Sequence, residues 1–410
     1  MTASPQPIPK VCVVQDGARL HYAVPIALQR QGALARMYTD WYAGRGTERA
    51  ITALLGPVGG SRLKRMRERV ADDLDARLVR SKPSLALQQL RKGRYASEND
   101  FFTDLRRRTG QWIASEGFGD ATGVFGFVRN IDPAVCEVAR TRGLRVVVDQ
   151  MIAPAAIEHH EAVLQAERFP GWSSEPSETT GELVELEQRT WQLADRITCA
   201  SSYVRDGLIS CGVDAAKIAV LPYPFDARHV SAIDRRGRPE PLTVGFVGKV
   251  GLRKGVPYVF KLAERFDPSL VRFVCVGPIY LDRDLAQLQR SHNVELVGAV
   301  PRSDIAEWLQ PFDVFLLPST CEGSAGAVVE AMASGLPVVV SPNAGAPITD
   351  GVEGFVTPYD DIDAMQRHIE ALAADANKRH TMGLAARHRA EQLAVDAYGR
   401  QLVALFAEGR

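Results

Sequence analysis

"DVFLLPSTCEGSAGAVVEAMASGLPVVVS", Asp313 to Ser341, spells out a strand, a loop, a helix and a second strand. "DVFLLPS" and "LPVVVS" are short apolar runs bounded by turn residues, the pattern of strands buried on both faces. "AVVEAMASG" between them is of helical length and closes on Gly335. Two buried strands joined by a helix form a βαβ unit, which requires parallel pairing. This one unit therefore sets the fold class as α/β. The loop "TCEGSAG" carries Glu322, and the helix carries Glu330 about one and a half turns in. Small residues between the two acids leave the backbone open to close approach. A helix start adds unpaired N–H groups and partial positive charge, which suit phosphate oxygens.

The same rhythm extends in both directions. "LTVGFVG" (242–248), "VRFVCVG" (271–277) and "VELVG" (294–298) precede the unit as further strands. Earlier in the chain, "KVCVVQ" (10–15), "GVFGFV" (123–128), "LRVVVDQ" (144–150), "RITCA" (196–200) and "IAVLPY" (218–223) repeat it. The proline-rich stretch 222–241 interrupts the pattern. The reading is two doubly wound domains, residues 1–222 and 242–385, joined by a linker at 223–241. The helical end, 386–410, is expected to pack across the junction. In such sheets ligands sit outside the carboxyl ends of the strands, which puts Gly248, Gly277, Gly298 and Ser319 on one rim.

Composition narrows the class. With 410 residues, 46% apolar and 24% charged, the chain is of soluble globular type and long enough for two cores. The formal net charge is zero, so nothing global points to nucleic acid. No apolar leader opens the chain and no run is long enough to cross a bilayer. The six cysteines are scattered without a C-x-x-C pair and read as free thiols in a reducing, cytoplasmic setting. The histidines show no metal spacing; "EHHE" (158–161) does not match H-E-x-x-H and reads as a polar helix surface. No metal is expected. Residues 61–110 hold fourteen Lys/Arg against seven Asp/Glu. This basic helical insertion reads as a solvated surface, with an anionic membrane or acceptor as the sharper alternative.

A second motif, "GFVGKVGLRKG" (245–255), turns on Gly248 and Gly251 and enters a helix at Lys254. Arg253 offers a guanidinium fork and Lys254 a point charge, the pair of cations that a pyrophosphate needs. It is not a Walker A loop, since no Gly-Lys-Ser/Thr is present.

Taken together, "FVGKVGLRKG", the stretch "VGAV" through "NAG" (297–345) and "DGVEGFV" (350–356) resemble the donor domain of family-4 retaining glycosyltransferases of GT-B fold. The resemblance is specific over about 110 residues. It implies two Rossmann-like domains facing a cleft that holds a nucleoside-diphosphate sugar, with no other cofactor. By resemblance Glu330 would bind the ribose, Glu322 the donor sugar, and Arg253 and Lys254 the diphosphate. Ser324, Gly326, Ala327 and Val328 would line the helix start, with Gly248, Lys249 and Gly277 on the rim and Val300 near the base. Lys249 stands where the family usually has Arg. Gly17, in "QDGARLHYAVP", replaces a glycine-rich loop. Asp149 and Gln150 stand where the family often has His. Arg19, His21, Arg129 and Asp149 are acceptor-side candidates. UDP ranks ahead of GDP by family frequency, and the acceptor hydroxyl is open. An epimerase on the same fold and a non-catalytic sugar-nucleotide-binding subunit are the alternatives.

Overall fold

A computed structural model of the chain describes residues 7–44, 66–88, 98–172, 181–231, 240–282 and 293–408, with isolated positions between. Parts of the basic insertion, 61–65 and 89–97, lie outside the described residues.

The amino-terminal domain runs β1 (Val11–Val14), α1 (Ala23–Arg30), β2 (Leu34–Thr39), β3 (Val79–Ser81), α2 (Pro83–Gln88), α3 (Glu98–Glu116) and β4 (Gly123–Phe127). It continues with α4 (Pro133–Thr141), β5 (Arg145–Gln150), α5 (Ala155–Arg168), α6 (Gly181–Leu193), β6 (Arg196–Cys199), α7 (Ser202–Ser210) and β7 (Ile218–Val220). Its seven strands are all parallel, in the order β3-β2-β1-β4-β5-β6-β7. The carboxy-terminal domain runs β8 (Leu242–Val247), α8 (Val256–Ala263), β9 (Val271–Val276), β10 (Val294–Gly298), α9 (Ile305–Trp308) and β11 (Val314–Leu317). Then follow α10 (Gly326–Ala333), β12 (Val338–Val340), β13 (Gly354–Val356), α11 (Ile362–Ala374), α12 (Ala376–Gln392) and α13 (Val395–Ala407). Six parallel strands lie in the order β10-β9-β8-β11-β12-β13. The expectation of two doubly wound α/β domains holds.

The strands are apolar runs because helices cover both faces of each sheet. Every residue of β1, β4, β8 and β11 is buried. The six cysteines are free, five of them buried. Burial pushes the Cys12, Cys275 and Cys321 thiols up to about 12, so they pack as small apolar residues. Among the described residues, no helix is long and apolar enough to cross a membrane.

Each sheet reverses strand order once, at β1/β4 and at β8/β11. Such switch points open a crevice at the carboxyl ends of the strands. Two helices tie the domains together around these crevices. The last helix, α13, returns to the amino-terminal domain, where Leu402 and Phe406 join the core that contains Val24 and Leu28 of α1. On the other side, α5 and the chain after it lie against the carboxy-terminal domain. Tyr258 Oη donates to Gln165 Oε1 at 2.8 Å, and Arg168 pairs with Asp360 at 3.0 Å. Phe169 packs edge-on against Tyr258 with ring centroids 5.1 Å apart, and Trp172 against Phe260 at 5.6 Å.

Candidate functional site

The two crevices face each other across one cavity of about 800 Å³. Arg19, His21, Arg129 and Asp149 line it from the amino-terminal domain. Arg302, Glu322, Ser324, Gly326 and Glu330 line it from the carboxy-terminal domain. Residues from both halves of the chain therefore share one volume.

The carboxy-terminal wall begins at the end of β11. Gly255, with φ +72, lets the short helical turn 252–254 press on this strand end. A Cβ there would sit 1.8 Å from the Pro318 carbonyl oxygen, so only glycine fits. The Arg253 carbonyl accepts from the Thr320 amide at 2.9 Å, which fixes the turn to the loop. Ser341 Oγ donates to the Ser319 carbonyl at 2.6 Å, and Asn343 Nδ2 to the Thr320 carbonyl at 2.6 Å. The braced loop places Glu322 between two cations. Arg253 Nη1 and Lys254 Nζ each lie 2.7 Å from Glu322 Oε1. Burial pulls the Lys254 ammonium below its ordinary value, and Glu322 beside it pushes the other way.

The helix start follows directly. The Val328 amide bonds the Ala325 carbonyl at 2.9 Å, and the Val328 side chain is fully buried. Among the described residues, Gly326 and Ala327 at the helix start show no such backbone bond. Glu330, the fifth residue of α10, reaches the cavity, where Arg302 Nη2 donates to its Oε1 at 3.0 Å. Burial raises the Glu330 carboxyl and Arg302 opposes the shift. Arg302 was not among the residues singled out from the sequence. Its signal was available: it follows the end of β10 by four residues, on the same rim as Gly277 and Gly298.

Gly248, Lys249, Gly277, Val300 and Ala327, like Arg253 and Lys254, are not among the residues that line the cavity. Gly277 packs on Gly248, whose carbonyl oxygen a Cβ at 277 would meet at 1.9 Å. Gly248 backs the Lys254 side chain, and Lys249 Nζ sits 5.0 Å above the Tyr280 ring. Val300 and Ala327 pack against the carboxy-terminal core.

On the amino-terminal wall, the Gly17 amide donates to Asp40 Oδ1 at 3.0 Å, so this N–H is already used. Leu20, His21 and Tyr22 then take left-handed φ of 48°, 50° and 62°. For residues with a Cβ such backbone costs about 1–3 kcal/mol each, strain that recurs at functional loops. Burial, with Arg302 facing it, lowers the His21 pKa. Arg129 has its fork engaged: Nε donates to Glu187 at 2.7 Å, Nη1 to Glu158 at 2.8 Å and Nη2 to the Ala153 carbonyl at 3.2 Å. Asp149 lies at the end of β5, fully buried. Tyr223 Oη donates to one oxygen and Thr198 Oγ1 to the other, at 2.5 and 2.7 Å. Burial raises its carboxyl to about 6, against the pull of these two bonds. Tyr223 was read from the sequence as part of a linker; here it is the main partner of Asp149.

Residues 241–375 match the family described as glycosyl transferases group 1. The sulfoquinovosyl transferase SQD2 of Arabidopsis thaliana is 28% identical over 38% of this chain and 31% of its own length. The D-inositol 3-phosphate glycosyltransferase of Kribbella flavida is 28% identical over 50% of this chain and 54% of its own. A GDP-mannose-dependent phosphatidylinositol monomannoside mannosyltransferase of Mycolicibacterium smegmatis is 28% identical over 61% and 67%. The chain thus spans about a third to two thirds of the length of these relatives. Among solved structures, HepE of Anabaena with UDP and glucose superposes with TM-score 0.61 at 16% identity, over 97% of this chain and 99% of that one. Sucrose-phosphate synthase of Thermosynechococcus elongatus does so with TM-score 0.63 at 15% identity, over 98% of each. At these identities the shared property is the fold, two Rossmann-like domains of GT-B type.

Proposed function

We propose that the protein transfers a sugar from a nucleoside-diphosphate sugar to a hydroxyl acceptor, with retention at the anomeric carbon; the match of residues 241–375 to the glycosyl transferases group 1 family and the GT-B fold support this reading. The observation that carries this reading is Glu322 held at 2.7 Å by both Arg253 and Lys254, one turn before the start of α10. Two cations and a helix N-terminus converge where a diphosphate would lie. In this reading the diphosphate takes over Arg253 and Lys254, and Glu322 turns to the donor sugar hydroxyls. Glu330 accepts from the ribose hydroxyls.

The reaction then breaks the bond from the anomeric carbon to the diphosphate oxygen and forms one to the acceptor oxygen on the same face. The acceptor proton passes to the departing diphosphate. Negative charge grows on the leaving group in the transition state, and fixed cations stabilise it there more than in the ground state. The chain's own groups supply this without a protein nucleophile.

UDP is the first candidate base and GDP the second. Two of the sequence relatives carry GDP-mannose in their names, so both bases belong in the test. A thermal-shift panel of nucleotide sugars decides it: a true donor raises the melting temperature by mass action. Conversion of the donor with no acceptor present would instead favour an epimerase, and binding without turnover a non-catalytic subunit. No shift with any nucleotide sugar would overturn the reading.

A further inference from the structure

Among the described residues, Arg19 and Arg129 are the arginines of the amino-terminal domain that line the cavity, and Arg129 donates to Glu187, Glu158 and Ala153. The direct contacts of Arg19 are with apolar or weakly polar groups, although Asp16, Tyr223, Arg129 and Asp149 are near enough to act on its charge. The guanidinium carbon lies 5.8 Å from the centre of the Phe127 ring, and Nη1 meets the Met151 sulfur at 3.4 Å. A thioether is a weak acceptor. Nε is buried and makes no hydrogen bond. Among the described residues, no carboxylate forms an ion pair with Arg19. Asp16 and Asp149 act on it only through space, and both Asp149 oxygens already accept, from Tyr223 and Thr198. Burial accordingly disfavours the charge on Arg19.

A guanidinium in this state is incomplete. It carries five donors and no acceptor, and its desolvation is offset best by an anion that takes two parallel bonds. The loop that presents it is strained over the next three residues, so the position is not one the backbone adopts by default. The cations assigned to the donor diphosphate, Arg253 and Lys254, belong to the other domain, where they hold Glu322 of the opposite wall. Arg19 instead stands beside Phe127, Met151 and Asp149, at the carboxyl ends of β4 and β5.

Building on the transferase reading above, we propose that the acceptor is itself anionic, and that Arg19 receives its carboxylate or phosphate while the reacting hydroxyl points into the cavity.

The test is calorimetric titration of the full-length protein, with and without UDP or GDP. Four probes are used: glucuronate, glucose 6-phosphate, and the uncharged methyl glucoside and glucose. The wild type should bind at least one charged probe at least ~10-fold more tightly than its neutral counterpart. Which charged probe wins separates a carboxylate acceptor from a phosphate one. Arg19→Met should abolish that preference and leave nucleotide affinity within about 2-fold. Arg19→Lys keeps the charge, should keep part of the preference, and serves if Arg19→Met does not fold. Equal binding of charged and neutral probes by the wild type would overturn the proposal. So would a ~10-fold loss of nucleotide affinity in Arg19→Met with the anion preference intact, which would move Arg19 to the donor. Failure of both nucleotides to bind would count against the donor reading, while the nucleotide-free titration would still judge Arg19.

Discussion

Gly323, in the loop that holds Glu322, lies directly against the Met151 carbonyl of the other domain; a Cβ on it would come within 1.7 Å of that oxygen. Two bonds flank the contact. Ser201 Oγ donates to the Gly323 carbonyl at 2.6 Å, and the Ala153 amide to the Glu322 carbonyl at 3.3 Å. The two walls of the cavity are thus in backbone contact at the acid that defines the site. Gly323→Ala should force them apart, at about 1–3 kcal/mol of overpacking. Denaturant titration would read the loss, and small-angle scattering a larger radius of gyration. A variant as compact and stable as the wild type would contradict the contact.

Lys254 and Glu330 grip different parts of the donor in the proposed reaction. Lys254→Ala and Glu330→Ala should each lower transfer by at least ~100-fold, with the melting temperature measured alongside to separate chemistry from folding. Wild-type-like transfer by either variant would remove its assigned role.

Arg302 opposes the burial that raises the Glu330 carboxyl. Removing it leaves burial alone, so the Glu330 pKa rises further and the carboxylate is lost at a higher pH. Arg302→Ala should therefore weaken nucleotide binding more at acidic than at alkaline pH. A pH series of Kd values checks the direction; a uniform loss across pH would argue against this link.

Asp149 provides a stability test. Its folded pKa, about 6, lies above the ordinary 3.8. The native state therefore binds the proton more tightly than the unfolded chain does, and stability falls as pH rises. The contribution is complete below about pH 3.8 and gone above about 6, with a total on the order of 3 kcal/mol. Asp149→Asn should flatten this part of the stability curve. Asp16, also raised, to about 7, moves in the same direction. The difference between wild type and variant isolates Asp149.

The bridge between domains can be weakened without disturbing either core. Tyr258→Phe keeps the ring contact with Phe169 and loses the hydroxyl's bonds to Gln165 and from Arg168. About 0.5–1.5 kcal/mol should be lost, seen as a lower denaturation midpoint. An unchanged midpoint would mean that the hydroxyl's bonds add nothing to the stability of the domain contact.

The sequence made the carboxy-terminal domain legible because its strands are uninterrupted apolar runs and its turns carry glycine. β11 and β12 lie within "DVFLLPS" and "LPVVVS", and α10 starts one residue before the expected "AVVEAMASG" and ends two residues before its Gly335. The amino-terminal wall was harder to read. β3 is three residues, "VRS", too short to show a period. The partners of Arg129, Glu158 and Glu187, are 29 and 58 residues away, so nothing local signals that its fork is engaged. Gly17 looked open to a phosphate, yet Asp40, 23 residues on, holds its amide. Arg302 had a positional signal on the rim, but its pairing with Glu330, 28 residues on, and that of Tyr223 with Asp149, 74 residues back, are tertiary contacts that no local pattern shows.

The shared grip on Glu322 has one more consequence. With no donor present the cations are not bare: the chain supplies its own carboxylate as a resident counterion. Any anion entering from solution must displace Glu322, and only a ligand that also rewards the displaced acid, through hydroxyls it can accept from, recovers that loss. Inorganic phosphate brings at most its own P–OH groups, whereas a sugar attached to the diphosphate presents several hydroxyls to the acid. Discrimination between a loaded and an unloaded phosphate group is thus written into the resting state, as competition within the protein itself.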